Sequence, residues 1–179
     1  MQKLNAKELQ LKYQQGQRNF EAVNLSQAEL FEAQLSEINL ANSNLQAIYL
    51  PYGNLANSNL SKAQLQAAQL SNTQFYQTNL SSANLSGANL SRANLRYANL
   101  RGANLTGANL LGADLAFADL SYANLSETNL QSANLEQANL EQTQLSNANL
   151  FRAYKADLSK AKLSNSTILT DGYRQMDQE

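Results

Sequence analysis

Ala103-Asn104-Leu105-Thr106-Gly107-Ala108-Asn109-Leu110 decides how this chain folds, because one five-residue phrase, Ala-Asn-Leu-x-x, starts again the moment it ends. Outward from that stretch, a leucine or phenylalanine occupies every fifth position from Phe20 to Leu150, 27 in succession and 25 of them leucine. A repeat this regular governs the fold before any local propensity does. An α-helix advances about 100° per residue and would scatter these leucines around its axis. A flat strand alternates faces with period two, so an odd step of five would send successive leucines to opposite sides. The chain must therefore bend at every repeat. A turn of about a quarter circle per pentapeptide points every leucine at one axis, closes a coil with four repeats, and lets coils stack at about 4.8 Å.

The Ala-(Asn/Asp)-Leu-x-x unit resembles the signature of the pentapeptide-repeat proteins, over residues 18–169. That resemblance implies an all-β fold, a right-handed quadrilateral β-helix of about twenty residues per coil. The central Leu or Phe and the small residue two before it would face inward. The small position is Ala88, Ala93, Ala98, Ala103, Ala108, Ala113, Ala118 and Ala123, with Gly53, Ser58, Thr73 and Thr78 as substitutes. Larger residues stand there only near the start, at Arg18, Val23, Ile38 and Ile48, so the first coils are expected to be less regular.

Three segments organise the chain. Residues 1–17 break the rhythm and read as a short capping α-helix: Asn5 with Glu8 makes a capping box, Leu4/Leu11 and Leu9/Tyr13 keep helical spacing, and Gly16 suits the stop. Such a helix would cover the first coil, whose open end exposes leucines and unpaired strand groups. Residues 18–169 form the array of about seven coils, roughly 35 Å long. After Leu150 the next leucine is Leu158, read as a three-residue insertion near 151–157, with Leu163 and Ile168 resuming the rhythm. Residues 170–179 form a tail that opens with a turn signal and would fold over the last coil or serve an end-to-end dimer contact. The stretch Tyr13-Gln14-Gln15-Gly16-Gln17-Arg18-Asn19-Phe20 is also similar to cyanobacterial members of the family, the HetL-type developmental regulators among them.

Composition excludes several functions. The chain of 179 residues has no cysteine and no histidine, so disulfides, thiol chemistry, Cys/His metal sites and imidazole catalysis are absent. Its net charge is −1, without long runs of either sign, which argues against a nucleic-acid binder or polybasic membrane anchor. No stretch approaches the ~20 apolar residues of a membrane span, and the opening residues lack an apolar signal core; a cytoplasmic protein is expected. Phosphate loops and nucleophile elbows are also missing. Asp114 and Asp119, the obvious carboxylate pair, fill the repeat position held by Asn109 and Asn124, so no enzyme and no cofactor are expected.

Surface columns are where function would reside. At twenty residues per coil, Tyr76, Arg96, Tyr97 and Phe117 fall on two neighbouring columns of successive coils, and Phe31, Pro51 and Tyr52 gather near the N-terminal end. Exposed aromatics with an arginine have the composition of interface hot spots. Asn84, Asn104 and Asn124 share a column and are expected to stack as an amide ladder. Arg92, Arg96 and Arg101 project from three sides and make no phosphate track. The family resemblance implies two alternatives to a protein-binding scaffold: a DNA-mimic that binds gyrase, which needs acidic stripes lacking here, and a purely structural rod.

Overall fold

In a computed structural model, which describes residues 1–174, the five-residue rhythm becomes a ladder of parallel bridges between residues twenty apart. Asn19 bridges Asn39, Asn24 bridges Asn44, Glu29 bridges Tyr49 and Gln34 bridges Asn54, and the series runs on to Asn134 with Tyr154. Four pentapeptides therefore make one coil. Each rung uses the same bonds: the Leu85 N–H donates to the Asn104 carbonyl at 2.7 Å, and the Asn104 N–H returns to the Ala83 carbonyl at 2.9 Å.

The corners explain the repeat chemistry. The Leu100 carbonyl accepts from the Ala103 N–H at 2.9 Å, closing a four-residue turn, and the same bond recurs at Ala28, Ala88 and Ala123. A turn with positive φ only at its third residue is of type II. That residue has positive φ in every pentapeptide from Ala22 to Arg152, and only Gly87, Gly102, Gly107 and Gly112 are glycine. The asparagine ahead of each leucine fastens the corner: Asn84 Oδ1 accepts from the Ser86 N–H at 3.2 Å. Inside, the leucine column is buried from Phe20 to Leu150, with Phe20 and Phe75 as the two large members, and the alanine column is buried except at Ala28 and Ala138, which are half-buried. Hydroxyls are admitted to this core only with a partner: Thr73, Thr78 and Thr128 donate to the carbonyls of Leu50, Leu55 and Leu105 at 2.7–2.9 Å.

The expected irregularity of the first coils is confined to Arg18 and to single turn bonds. Arg18, expected at an inward position, is exposed with its guanidinium over the Tyr13 ring, whereas Val23, Ile38 and Ile48 are buried and the bridge ladder runs unbroken past them. The Val23 and Ile38 N–H groups donate to the hydroxyls of Ser43 and Ser58 in the next coil, at 3.1 and 3.2 Å.

At the N-terminal end the helix is shorter than the sequence reading of residues 1–17. Strand β1 (Gln2–Lys3) pairs in parallel with β2 (Val23–Asn24), and helix α1 spans Ala6–Gln14. The first residues extend instead of coiling because Leu4 then reaches the core and its N–H meets the Asn24 carbonyl at 3.0 Å. The capping box between Asn5 and Glu8 is present, Leu9 is fully buried, and the Tyr13 hydroxyl donates to the Ser36 carbonyl at 2.9 Å.

At the other end the expected insertion at 151–157 is a shortening. Tyr154 bridges Asn134 as before, but Gln144 bridges Lys162 and Asn149 bridges Ile168. Eight residues thus run from Tyr154 to Lys162 where a regular coil uses ten, and one is regained before Ile168. Leucine spacing alone cannot tell a lengthened coil from a shortened one, because both shift the phase. The consequence is that Leu169, not Ile168, turns inward, while Leu158 and Leu163 are only half-buried. The chain then reverses: Ile168 pairs antiparallel with Arg174, and the Leu169 N–H donates to the Tyr173 carbonyl at 2.7 Å. The remainder of the tail read as 170–179, residues 175–179, lies outside the described residues. Among the described residues no helix is long and apolar enough to cross a membrane.

Candidate interaction surface

Two corner positions of each pentapeptide and the asparagine position face outward, so every surface column can be followed from coil to coil. Tyr76, Tyr97 and Phe117 come together at one corner edge. The rings of Tyr97 and Phe117 stack with centroids 4.8 Å apart and planes within 6°, and Tyr76 meets Tyr97 edge-on at 5.6 Å. The Arg96 guanidinium carbon lies 5.7 Å from the Tyr97 centroid and 5.5 Å from that of Phe117. Tyr97 is 44% exposed, and Tyr76, Arg96 and Phe117 are half-buried.

Arg96 is oriented by a partner the sequence reading did not assign. Its Nη1 donates to Asp114 Oδ2 at 3.3 Å, and this hydrogen bond raises its pKa above the ordinary arginine value. Asp114 Oδ1 accepts in turn from Asn134 Nδ2 at 3.0 Å and from the Ala116 N–H at 3.1 Å. Lys155 and Glu136 pair in the same way further along, and that bond raises the lysine pKa. The three arginines lie in separate surroundings, Arg92 beside Gly112, Arg96 on Asp114 and Arg101 on Ser121.

A second arginine–aromatic pair escaped the sequence reading. Arg101 lies over the ring of Tyr122 at 4.6 Å and donates to the Ser121 hydroxyl at 3.1 Å, with Tyr122 half exposed. The signal was present: Phe31/Tyr52, Tyr76/Tyr97, Arg96/Phe117 and Arg101/Tyr122 are all separated by one coil plus one residue, the offset that joins the two corner positions of adjacent coils.

The N-terminal cluster needs a correction. Phe31 and Tyr52 are exposed, and Phe31 contacts Tyr52 at 5.9 Å and Tyr49 at 6.4 Å. Pro51, expected to join them at the surface, is buried, while its carbonyl accepts from the Glu32 N–H at 3.0 Å. Tyr49 takes the third aromatic place. Beside this cluster a groove of about 400 Å³ opens between α1 and the first coil, lined by Gln10, Tyr13, Gln14, Phe31, Glu32 and Gln34 among others.

The expected ladder of Asn84, Asn104 and Asn124 is joined at one step: Asn104 Nδ2 donates to Asn84 Oδ1 at 3.3 Å, while Asn104 Oδ1 accepts from the Thr106 N–H and hydroxyl and not from Asn124. Asn129, Asn109 and Asn89 form a continuous run at 3.3 and 3.4 Å. Asparagine can accept from its own corner and donate to its column at once; an aspartate only accepts. Among the described residues no group of acidic residues is arranged to hold a metal ion.

The family described as Pentapeptide repeats matches the chain in eight copies, over residues 38–75, 58–96, 73–112, 113–150 and 123–168. Among solved structures, the pentapeptide repeat protein Rfr23 from the cyanobacterium Cyanothece 51142 is 30% identical with a TM-score of 0.53, over 75% of this chain and 99% of that one. A pentapeptide repeat protein of the Arabidopsis thaliana thylakoid lumen is 27% identical with a TM-score of 0.56, over 64% of this chain and 81% of that one. HetL, a pentapeptide repeat protein involved in heterocyst differentiation regulation in Nostoc sp. strain PCC 7120, is 28% identical over 96% of this chain and 100% of its own, with a TM-score of 0.43. A comparison with curated protein sequences finds no match.

Proposed function

This chain belongs to the pentapeptide-repeat family, whose members fold as right-handed quadrilateral β-helices, and from that premise we propose that it is a non-enzymatic scaffold that binds another protein. In this reading residues 1–17 cap the first coil, and the rod acts as a monomer or an end-to-end dimer. The binding surface is the corner edge of Tyr76, Arg96, Tyr97 and Phe117.

One observation carries the reading: the rings of Tyr97 and Phe117 stack at the surface with centroids 4.8 Å apart beside the Arg96 guanidinium, the composition of interface hot spots. Their φ of +57° and +61° is the corner conformation that every pentapeptide from Ala22 to Arg152 shares. A stiff rod that presents them in fixed positions loses little conformational entropy on association. Duplex mimicry would need free acidic stripes; Asp114 and Glu136 are instead paired with Arg96 and Lys155 from neighbouring coils.

The test compares wild type with a Tyr97→Ala/Phe117→Ala variant, first in capture from native lysate and then with the purified partner. The expected result is one protein held by wild type and bound about 30-fold more weakly by the variant, as for hot-spot residues worth about 2 kcal/mol. Equal binding by both proteins would move the function off this edge.

A further inference from the structure

The first coil is completed on two sides and left open on the others. Its Asn24 carbonyl accepts from the Leu4 N–H, its Asn19 carbonyl from the Gln17 side chain, and its Ser36 carbonyl from the Tyr13 hydroxyl. Between these, five backbone groups have no protein partner among the described residues: the N–H and carbonyl of Glu29, the carbonyl of Phe31, and the N–H and carbonyl of Gln34. The matching groups one coil later, on Tyr49, Pro51 and Asn54, are all bonded, at 2.7–3.0 Å. The part of this edge from Phe31 to Gln34 lines the groove beside α1. An unpaired strand edge next to a groove is the arrangement used for strand addition.

The chain itself shows how such an edge is filled. Gln2–Lys3 lies parallel to Val23–Asn24, Lys3 opposite Asn24, and Leu4 turns inward and is buried. A segment docked at Gln34 in the same register would accept from the Gln34 N–H, donate to the Gln34 carbonyl two residues later, and turn that second residue into the groove between Tyr13 and Phe31. The charge around the edge selects the neighbour. Glu29, Glu32 and Glu37 are exposed and form no ion pair among the described residues, while nearby Arg18 is held over the Tyr13 ring at 3.8 Å. Phe31 with Tyr49 and Tyr52 offers an aromatic floor for a lysine or arginine stem.

We propose that the open edge at Gln34, flanked by Glu29 and Glu32, is a strand-addition site for an extended basic segment of a partner protein, in which a lysine or arginine precedes an apolar residue. Pairing on a single face buries little area, so the affinity is modest, on the order of 100 μM. This site is separate from the Tyr97/Phe117 edge and stands without it.

The probe is a fluorescein-labelled Gly/Ser-flanked peptide carrying Gln-Lys-Leu, titrated into the full chain and read by anisotropy and by amide hydrogen exchange. Saturable binding with slowed exchange at Gln34, and no change at Asn24, is expected. Binding should weaken about tenfold in Glu29→Gln/Glu32→Gln and for a peptide with Glu in place of Lys. It should be unchanged in Tyr97→Ala/Phe117→Ala. Absence of saturation at millimolar peptide, binding without slowed exchange at Gln34, or loss in the Tyr97→Ala/Phe117→Ala variant would each overturn the proposal. So would slowed exchange at Gln34 that rises with protein concentration alone, since a second copy would then occupy the edge.

Discussion

Arg101 and Tyr122 lie one coil plus one residue apart, and the arginine covers the tyrosine ring at 4.6 Å. The offset follows from the fold: the first corner position of one coil abuts the second corner position of the next. A guanidinium over an exposed ring is worth about 0.5–1 kcal/mol. A double-mutant cycle with Arg101→Ala and Tyr122→Ala should return a coupling of about that size in urea unfolding, and a coupling of zero would show the contact to be energetically idle.

The second corner position makes a prediction with two signs. Gly107 has φ +67° with open space where a Cβ would stand, and Ala67 has φ +54°. The left-handed conformation costs an L-residue about 1–2 kcal/mol, while glycine gives up about 0.5–1 kcal/mol more chain entropy on ordering. The difference, roughly 0.5–1 kcal/mol, favours glycine. Gly107→Ala should therefore lower the urea midpoint and Ala67→Gly should raise it. Shifts of the same sign in both would mean that chain entropy, not corner strain, decides this position.

How much of this was legible in the sequence depends on whether a feature repeats. The leucine at every fifth position, the small residue two before it, the asparagine column and the stacking of Tyr97 on Phe117 all follow once the coil is known to hold twenty residues. Pro51 did not follow, because one-dimensional spacing does not show how a side chain at a corner is covered. The Arg96–Asp114 pair was missed because it links different columns of adjacent coils, which requires knowing how far an arginine reaches from its corner. The Gln144–Lys162 bridge was missed because the regular period had ended by then.

The same irregular segment holds the one carboxylate with a lowered pKa among the described residues. Asp157 accepts from the Ser159 hydroxyl and from the Ser159 N–H, the latter at 3.1 Å, and these bonds hold its pKa below the usual 3.8. A carboxylate depressed in the folded state stabilises that state fully above pH 3.8, and the contribution is lost as pH falls through the lowered value. Carboxyl-carbon NMR should place the Asp157 midpoint below 3.8, and Ser159→Ala should move it upward without fully restoring it, because the backbone donor remains. An unchanged midpoint in Ser159→Ala would assign the shift to another group.

Leu9 is fully buried where α1 meets the first coil, and Leu9→Ala should cost about 2–5 kcal/mol if the gap stays open. The helix has nine residues, fewer than the ~12–15 at which isolated helices become even marginal, so once undocked it should unfold and not persist as a free helix. The coils beneath keep their own bridges, and in a solenoid each unit depends chiefly on its neighbours. Hydrogen exchange in Leu9→Ala should therefore accelerate over Ala6–Gln14 and Val23–Asn24 and stay slow at Asn84, Asn104 and Asn124. Loss of Leu4 from the Asn24 edge also lengthens the unpaired stretch of the first coil, so light scattering should reveal concentration-dependent association. Uniform acceleration through the central coils would instead mean that the N-terminal segment holds the whole array in register, and that the rod is one cooperative unit from Leu4 to Leu150.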